Sequence, residues 1–204
     1  MEPRSSLGEY DMEGRYTLQT TAGSIYRYKR ELAQLLCEDE ENVRIVIRDA
    51  GGSYGPRNAL YAEHALVLWA SKRLGRPVKW TSDRTESMLT DYQARDLVID
   101  AAIGFDADGR ITALHTHNTS NIGAHSASWI PLVKGIEITT VLYKIPSASA
   151  RAVAVQTNTP PTYPYRSAGR PEVMYAMERM MDMAAAATGI DRIEIRRQNL
   201  ICPD

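Results

Sequence analysis

Residues 41–50, ENVRIVIRDA, set apolar side chains at Val43, Ile45 and Ile47 with polar ones between them. A period of two predicts a strand with one buried face. GRYTLQT alternates in the same way and is a second strand, whereas YRYKRELAQLLCE spaces Tyr28, Leu32, Leu35 and Leu36 as a helix does. After Gly51 and Gly52 an amphipathic run from about Ala59 to Leu74 predicts a helix that Gly75 stops, and RPVKWTS follows as a strand. The first third therefore reads β-α-β-turn-α-β.

The pattern then changes. RDLVIDAAIGFDADGRITALHTHNTSNIG is two alternating runs joined by DADG, a hairpin signal. SASWIPLVKGIEITT predicts a short helix, and VLYKI and SARAVAV have β character. QTNTPPTYPYRSAGRPE is dense in proline, asparagine and glycine, as a loop would be. Pro171 suits the first turn of a helix that runs to Gly189, and Asp191 caps a last one. Mixed pairing with helices gives an α+β class. No repeat or obvious linker interrupts it.

Composition narrows the function more than the fold. At 204 residues and 44% hydrophobic, the chain can bury one substantial core or two small ones. A net charge of -1 supplies no field for nucleic acid or anionic lipid. Cys37 and Cys202 are far apart, with no CxxC or histidine at ligand spacing, which argues against a disulfide scaffold, zinc or an iron–sulfur cluster in this chain. There is no signal-peptide pattern, and no apolar run approaches the roughly 18–20 residues of a membrane span, so a cytoplasmic protein is expected.

Three features could carry chemistry. GGSYGPR, residues 51–57, is a glycine turn ahead of a helix, where backbone N–H groups can hold an anion. It matches neither GxxxxGK[ST] nor GxGxxG, so a plain tight connection is the competing reading, against which stands the aromatic Tyr54. Arg95, Arg166 and Arg170 lie in loop-like stretches, suited to carboxylate or phosphate recognition or to surface salt bridging. His115 and His117 share one face of a strand without an acidic or cysteine partner near by. The methionines of MYAMERMMDM suit a plastic core face, and no serine or cysteine sits in a GxSxG context. By its chemistry alone the chain is a binding domain without its own catalytic set.

Six stretches in register resemble one family across nearly the whole chain: the molybdenum-binding subunit of the xanthine dehydrogenase and aldehyde oxidase family, with the carbon monoxide dehydrogenase-type large subunits. GGSYG resembles its GGGFG turn, GRPVKWTSDRTESM its GRPVxWxxDRxE, ARD its arginine segment and SNIGAHS its NxGAY. QTNTPPTYPYRSAGRPE resembles TNxxPxxxYRGAGRPE, and MERMMDMAAAATGIDRIEIRRQNLI resembles ExxxDxxAxxxGxDPxExRxxNxI. The resemblance implies that Gly52, Ser53, Tyr54 and Gly55 line a molybdenum–molybdopterin cofactor, plain or in its cytosine dinucleotide form. It places Arg166, Ser167 and Ala168 beside the metal and makes Arg95 a substrate-pocket arginine that stabilises developing negative charge.

The implied reaction is hydroxylation of an aldehyde or N-heterocycle with oxygen from water, a glutamate acting as base. Electrons would leave through [2Fe–2S] clusters to FAD on an iron–sulfur subunit and a flavin subunit. The chain is then a fragment, residues 1–204 of the first molybdopterin-binding domain, with MEPR resembling an internal motif. An upstream small lobe and a downstream half bearing the catalytic glutamate would lie outside it, and these residues alone are expected not to turn over. Four positions depart from the pattern. Gly23 stands where a glutamine reaches the apical oxo ligand, and Ser53 where the central glycine of the turn lies. Asn58 stands where purine oxidisers hold a glutamate, and Ser167 where carbon monoxide oxidisers hold the copper-binding cysteine. Purine and carbon monoxide oxidation are thus disfavoured. Gly23 and Ser53 also keep open a second reading, a degenerate non-enzymatic homologue that retains the fold as a structural or interaction module.

Overall fold

A strand with only two large apolar residues, Leu7 and Tyr10, organises the first part of the chain: β1 (Ser5–Tyr10). The computed structural model describes residues 3–202, so Met1 and Glu2 of MEPR lie outside it. β1 pairs antiparallel with β2 (Tyr16–Thr20) on one side and with β4 (Val78–Thr81) on the other, and β3 (Val43–Val46) runs parallel to β2. The order is β3-β2-β1-β4. Helices α1 (Ile25–Leu36) and α2 (Ala62–Leu74) pack against this sheet. α2 comes so close that a β-carbon on Gly8 would stand 2.6 Å from the carbonyl carbon of Val67. Leu18, Tyr28, Leu32 and Leu68 are wholly buried between sheet and helices. Each such side chain contributes roughly 1.5–3 kcal/mol relative to exposure. Arg4 is buried too, bonded to Glu63 at 2.6 Å and Thr90 at 2.7 Å and stacked on the Tyr61 ring.

The chain divides into two compact units, residues 1–91 and 92–204. In the second, β5 (Leu97–Phe105) and β6 (Ile111–Gly123) form the expected hairpin, and β7 (Ala148–Gln156) runs parallel to β6. Asp106 fixes the DADG turn by accepting from Asp108 N at 3.0 Å and Arg110 N at 2.8 Å. Helices α4 (Ile130–Glu137), α5 (Arg170–Thr188) and α6 (Arg192–Asn199) complete the unit. Its core gathers Leu114, Met177, Met181 and Ile195. Asp191 caps α6 as expected, accepting from Ile193 N at 2.8 Å. Among the described residues no helix is long and apolar enough to cross a membrane.

Two elements carry no expectation from the sequence, and two expectations need correction. SSLGEY, which carries no obvious alternation, is a strand, because pairing on both edges and the close helix hold it. DRTESMLTD contains α3 (Arg84–Thr90), capped by Asp83 accepting from Glu86 N at 2.7 Å. VLYKI is not a strand: Val141 has left-handed backbone and the segment turns, with one bridge from Tyr143 to Leu200. Its apolar residues serve the core instead, Tyr143 donating to Glu178 at 2.6 Å. Of the methionine run only Met177 and Met181 are fully buried, while Met174 and Met183 are exposed.

Candidate functional site

The glycine turn does not open α2. Gly55, with φ of 109°, leads into a single 3₁₀ turn, Pro56–Asn58, and α2 begins only at Ala62. The N-terminus of α2 is closed by its own residues, Tyr61 N donating to His64 Nδ1 at 3.0 Å. Whatever the glycine turn binds, it binds through its own groups and not through that helix end. Its exit is tightly held. Gly23 N donates to Arg57 O at 2.7 Å, and the buried Tyr28 hydroxyl donates to Arg57 O at 3.0 Å and to Ala59 O. Tyr54 has left-handed backbone, φ 51°, and its ring lies over Gly52, where any β-carbon would overlap it. Ser53 Oγ is buried and has no hydrogen-bond partner among the described residues. A cavity of about 20 Å³ borders Thr21, Ala22, Gly52, Ser53 and Arg57.

The arginine loop lies in the second unit. Its backbone is left-handed at Arg166 (φ 28°), Ser167 (φ 73°) and Gly169 (φ 81°). Ala168 between them is buried, its N–H donating to Tyr165 O at 3.0 Å. Arg95, itself at φ 62°, grips this loop. Its guanidinium donates to Arg166 O at 2.6 Å and Tyr165 O at 3.2 Å, and bonds Glu172 at 3.1 Å. Five N–H donors in a planar fork suit this task, and lysine could not repeat it. Arg95 thus spends donors on holding the loop, and it also borders a cavity of about 510 Å³ together with Leu97, Glu172, Tyr175 and Arg179. Arg170, the third arginine, donates to Ser167 O at 3.3 Å.

Asn121, inside the stretch SNIGAHS, was not singled out for a role, yet its carboxamide staples the base of the loop. Nδ2 donates to Asp96 at 2.8 Å and Thr159 at 3.0 Å, while Oδ1 accepts from Gly123 N at 2.8 Å and Thr157 at 2.7 Å. Tyr28 is a second residue that sequence reading left in the core without its polar task. His115 and His117 sit on β6 opposite Ala102 and Asp100, and no group of three His, Cys, Asp or Glu side chains gathers for a metal ion among the described residues. In the first unit the glycine turn presents backbone amides and the Ser53 hydroxyl. In the second the arginine loop presents guanidinium and backbone groups. Hydrogen-bonding groups of this kind, with no cluster of metal ligands among the described residues, suit a polar organic group better than a bare metal ion.

Comparison with known proteins gives the family. Residues 1–200 match the model of the molybdopterin cofactor-binding domain, and the chain belongs to that family. It is 34% identical over 203 residues to the 6-hydroxypseudooxynicotine dehydrogenase complex subunit gamma of Paenarthrobacter nicotinovorans, covering 98% of this chain and 26% of that one. It is 33% identical over 207 residues to the carbon monoxide dehydrogenase large chain of Hydrogenophaga pseudoflava, again 98% and 26%. Among solved structures, quinoline 2-oxidoreductase from Pseudomonas putida 86 superposes with a TM-score of 0.96 at 30% identity, covering 100% of this chain and 26% of that one. The fold is that of molybdenum hydroxylase large subunits, and the chain spans about a quarter of the length of these relatives.

Proposed function

We propose that these residues are the first molybdopterin-binding domain of a molybdenum hydroxylase that oxidises an aldehyde or N-heterocycle with oxygen from water. One observation carries the reading. Six non-glycine residues adopt positive φ in the described structure, and four of them are Tyr54, Arg95, Arg166 and Ser167. Those four are among the eight residues that the family motifs single out. Left-handed backbone at non-glycine residues costs of order 1–3 kcal/mol each and persists where function requires the geometry. A structural module released from catalysis has no reason to retain it at these four.

In this reading the bound cofactor supplies the redox chemistry. The chain's own residues bind and orient it. Gly52 to Gly55 offer backbone amides and the Ser53 hydroxyl, with Tyr54 covering Gly52. Arg166, Ser167 and Ala168 present the loop, and Arg95 acts as its positioning residue by fixing two of its carbonyls. Cysteine being absent at 167, carbon monoxide is not the substrate assigned. The iron–sulfur and FAD groups belong to partner subunits, the cofactor is plain or cytosine dinucleotide, and the location is the cytoplasm.

The test is the molybdenum-to-polypeptide ratio of the full-length protein. A ratio near one supports the reading, and a ratio near zero, in a host whose other molybdenum enzymes are loaded, overturns it in favour of a degenerate homologue. In the loaded protein, Tyr54→Ala and Arg166→Ala should each lower metal content or cut turnover about 100-fold, the scale of a misplaced reacting group. Wild-type metal content and rate in both would refute the site.

A further inference from the structure

Among the described residues, strand β5 is paired along one side only. The sheet order β5-β6-β7 leaves its outer edge without a partner strand. Asn121 N donates to Asp96 O at 3.2 Å, which fixes the antiparallel alternation. Residues 96, 98, 100 and 102 exchange bonds with β6, so Leu97, Ile99 and Ala101 turn their N–H and C=O groups to the open side. The side chains of those same three residues form one wall of the cavity of about 510 Å³ that Arg95 borders. Tyr175, Ala176 and Met180 of α5 form the wall opposite. An unpaired strand edge and an apolar trough therefore lie side by side. In such an arrangement an extended peptide adds a strand and drops alternate side chains into the trough. Nothing in LVIDAAIGF blunts the edge: it has no proline or lysine, and its register shift, at Gly104/Phe105, lies beyond the trough. Charge narrows the occupant further. Arg95 is matched by Glu172 at 3.1 Å. Arg179, exposed on the same trough, makes no ion pair or hydrogen bond among the described residues. One positive charge is left unspent.

We propose that the outer edge of β5 receives an extended segment of the same full-length polypeptide, from outside residues 1–204, with apolar side chains in the trough and an aspartate or glutamate against Arg179. A stretch of about five residues suffices, since Leu97 to Ala101 covers about 13 Å at roughly 3.3 Å per residue. Length selects the source. The chain spans about a quarter of its relatives, so most of a polypeptide of that size lies outside these residues. A tethered segment competes at an effective concentration on the order of millimolar, which a separate chain must match by its own abundance. A second copy is a poorer match. Pairing β5 with its own copy, helices on one face, would bring Leu97, Ile99 and Ala101 to the trough and no carboxylate to Arg179. The pairing is expected in cofactor-loaded and unloaded protein alike.

The experiment uses the full-length protein. Hydrogen exchange read residue by residue should find the amides of Leu97, Ile99 and Ala101 as protected as those of Val98 and Asp100, which β6 already pairs. In Arg179→Glu the three outer amides should exchange at least about tenfold faster, while Val98 and Asp100 keep wild-type protection. Arg179→Lys retains the charge and should stay near wild type. A photoreactive benzoylphenylalanine in place of Tyr175, which borders the trough and is 74% exposed, identifies the occupant by mass spectrometry. A cross-link within one polypeptide, to a segment that carries an acidic residue, supports the proposal. A cross-link to a second copy or to another subunit overturns the assigned source. Outer amides that exchange at least about 100-fold faster than the inner ones in wild type overturn the pairing itself. Unchanged protection in Arg179→Glu overturns the charge match. The wild-type exchange and the cross-link do not require that variant to fold.

Discussion

Replacing Gly169 by alanine is expected to destabilise the protein by about 4 kcal/mol, adding a left-handed-backbone cost of roughly 1–2 kcal/mol to an overpacking cost of roughly 1–3 kcal/mol. Both contributions are visible at this residue. Its φ is 81°, and its β-carbon would overlap Pro131 O and stand 2.9 Å from Gly135 N, which are backbone atoms of α4 that cannot swing aside. Gly189 provides the control. It too has positive φ, 72°, but nothing lies within 4 Å of its β-carbon position. Gly189→Ala should thus cost only the backbone part, about 1 kcal/mol. Denaturant unfolding of the two variants separates the contributions. Equal losses would mean that α4 yields to the methyl. Because Gly169 ends the arginine loop, its variant should also lower molybdenum content, which Gly189→Ala should leave alone.

A second large effect is expected on acidification, through His64. Burial above all pushes its pKa down from 6.5 to about 4, with Arg4 and Arg57 helping and Glu63 opposing. Its Nδ1 accepts from Tyr61 N, which an imidazolium could not do. Between pH 6.5 and 4 the unfolded chain binds a proton here and the folded one does not. Stability then rises with pH across that window. This contribution is whole above pH 6.5 and is lost progressively as pH falls towards 4, by up to about 3 kcal/mol at ~1.4 kcal/mol per pH unit. His64→Gln retains an acceptor and cannot titrate. Melting temperature followed from pH 7 to 4 should fall more steeply for wild type than for His64→Gln. Parallel curves would show that other groups govern acid unfolding. The consequence is local to the glycine turn as well, since His64 packs on the Tyr28 ring that holds the turn's exit.

Much of this architecture is legible residue by residue. Val43 and Ile45 alternate because one face of β3 is buried, and both are buried in the structure. Gly75 and Gly189 mark helix ends because each takes the left-handed C-cap conformation. β1 escapes such reading because SSLGEY offers only Leu7 and Tyr10 as large apolar residues, and its partners lie on distant strands. α3 had a local signal, Asp83 followed by Glu86 three residues on, that apolar periodicity alone does not detect. VLYKI misleads because burial of Tyr143 in a turn produces the same composition as a strand.

The site divides along the same line. By itself the sequence determined the glycine turn, the arginine loop and the family, because short motifs with strict backbone demands leave glycine, proline and arginine at set spacings. Only the tertiary structure decided what those residues do. It gave Arg95 to the loop carbonyls, separated the glycine turn from α2, and put the Asn58 carboxamide in the space that Gly23 leaves open. These are matters of which atoms meet across dozens of residues of chain. Local periodicity carries no information about such meetings, whereas packing leaves them no alternative.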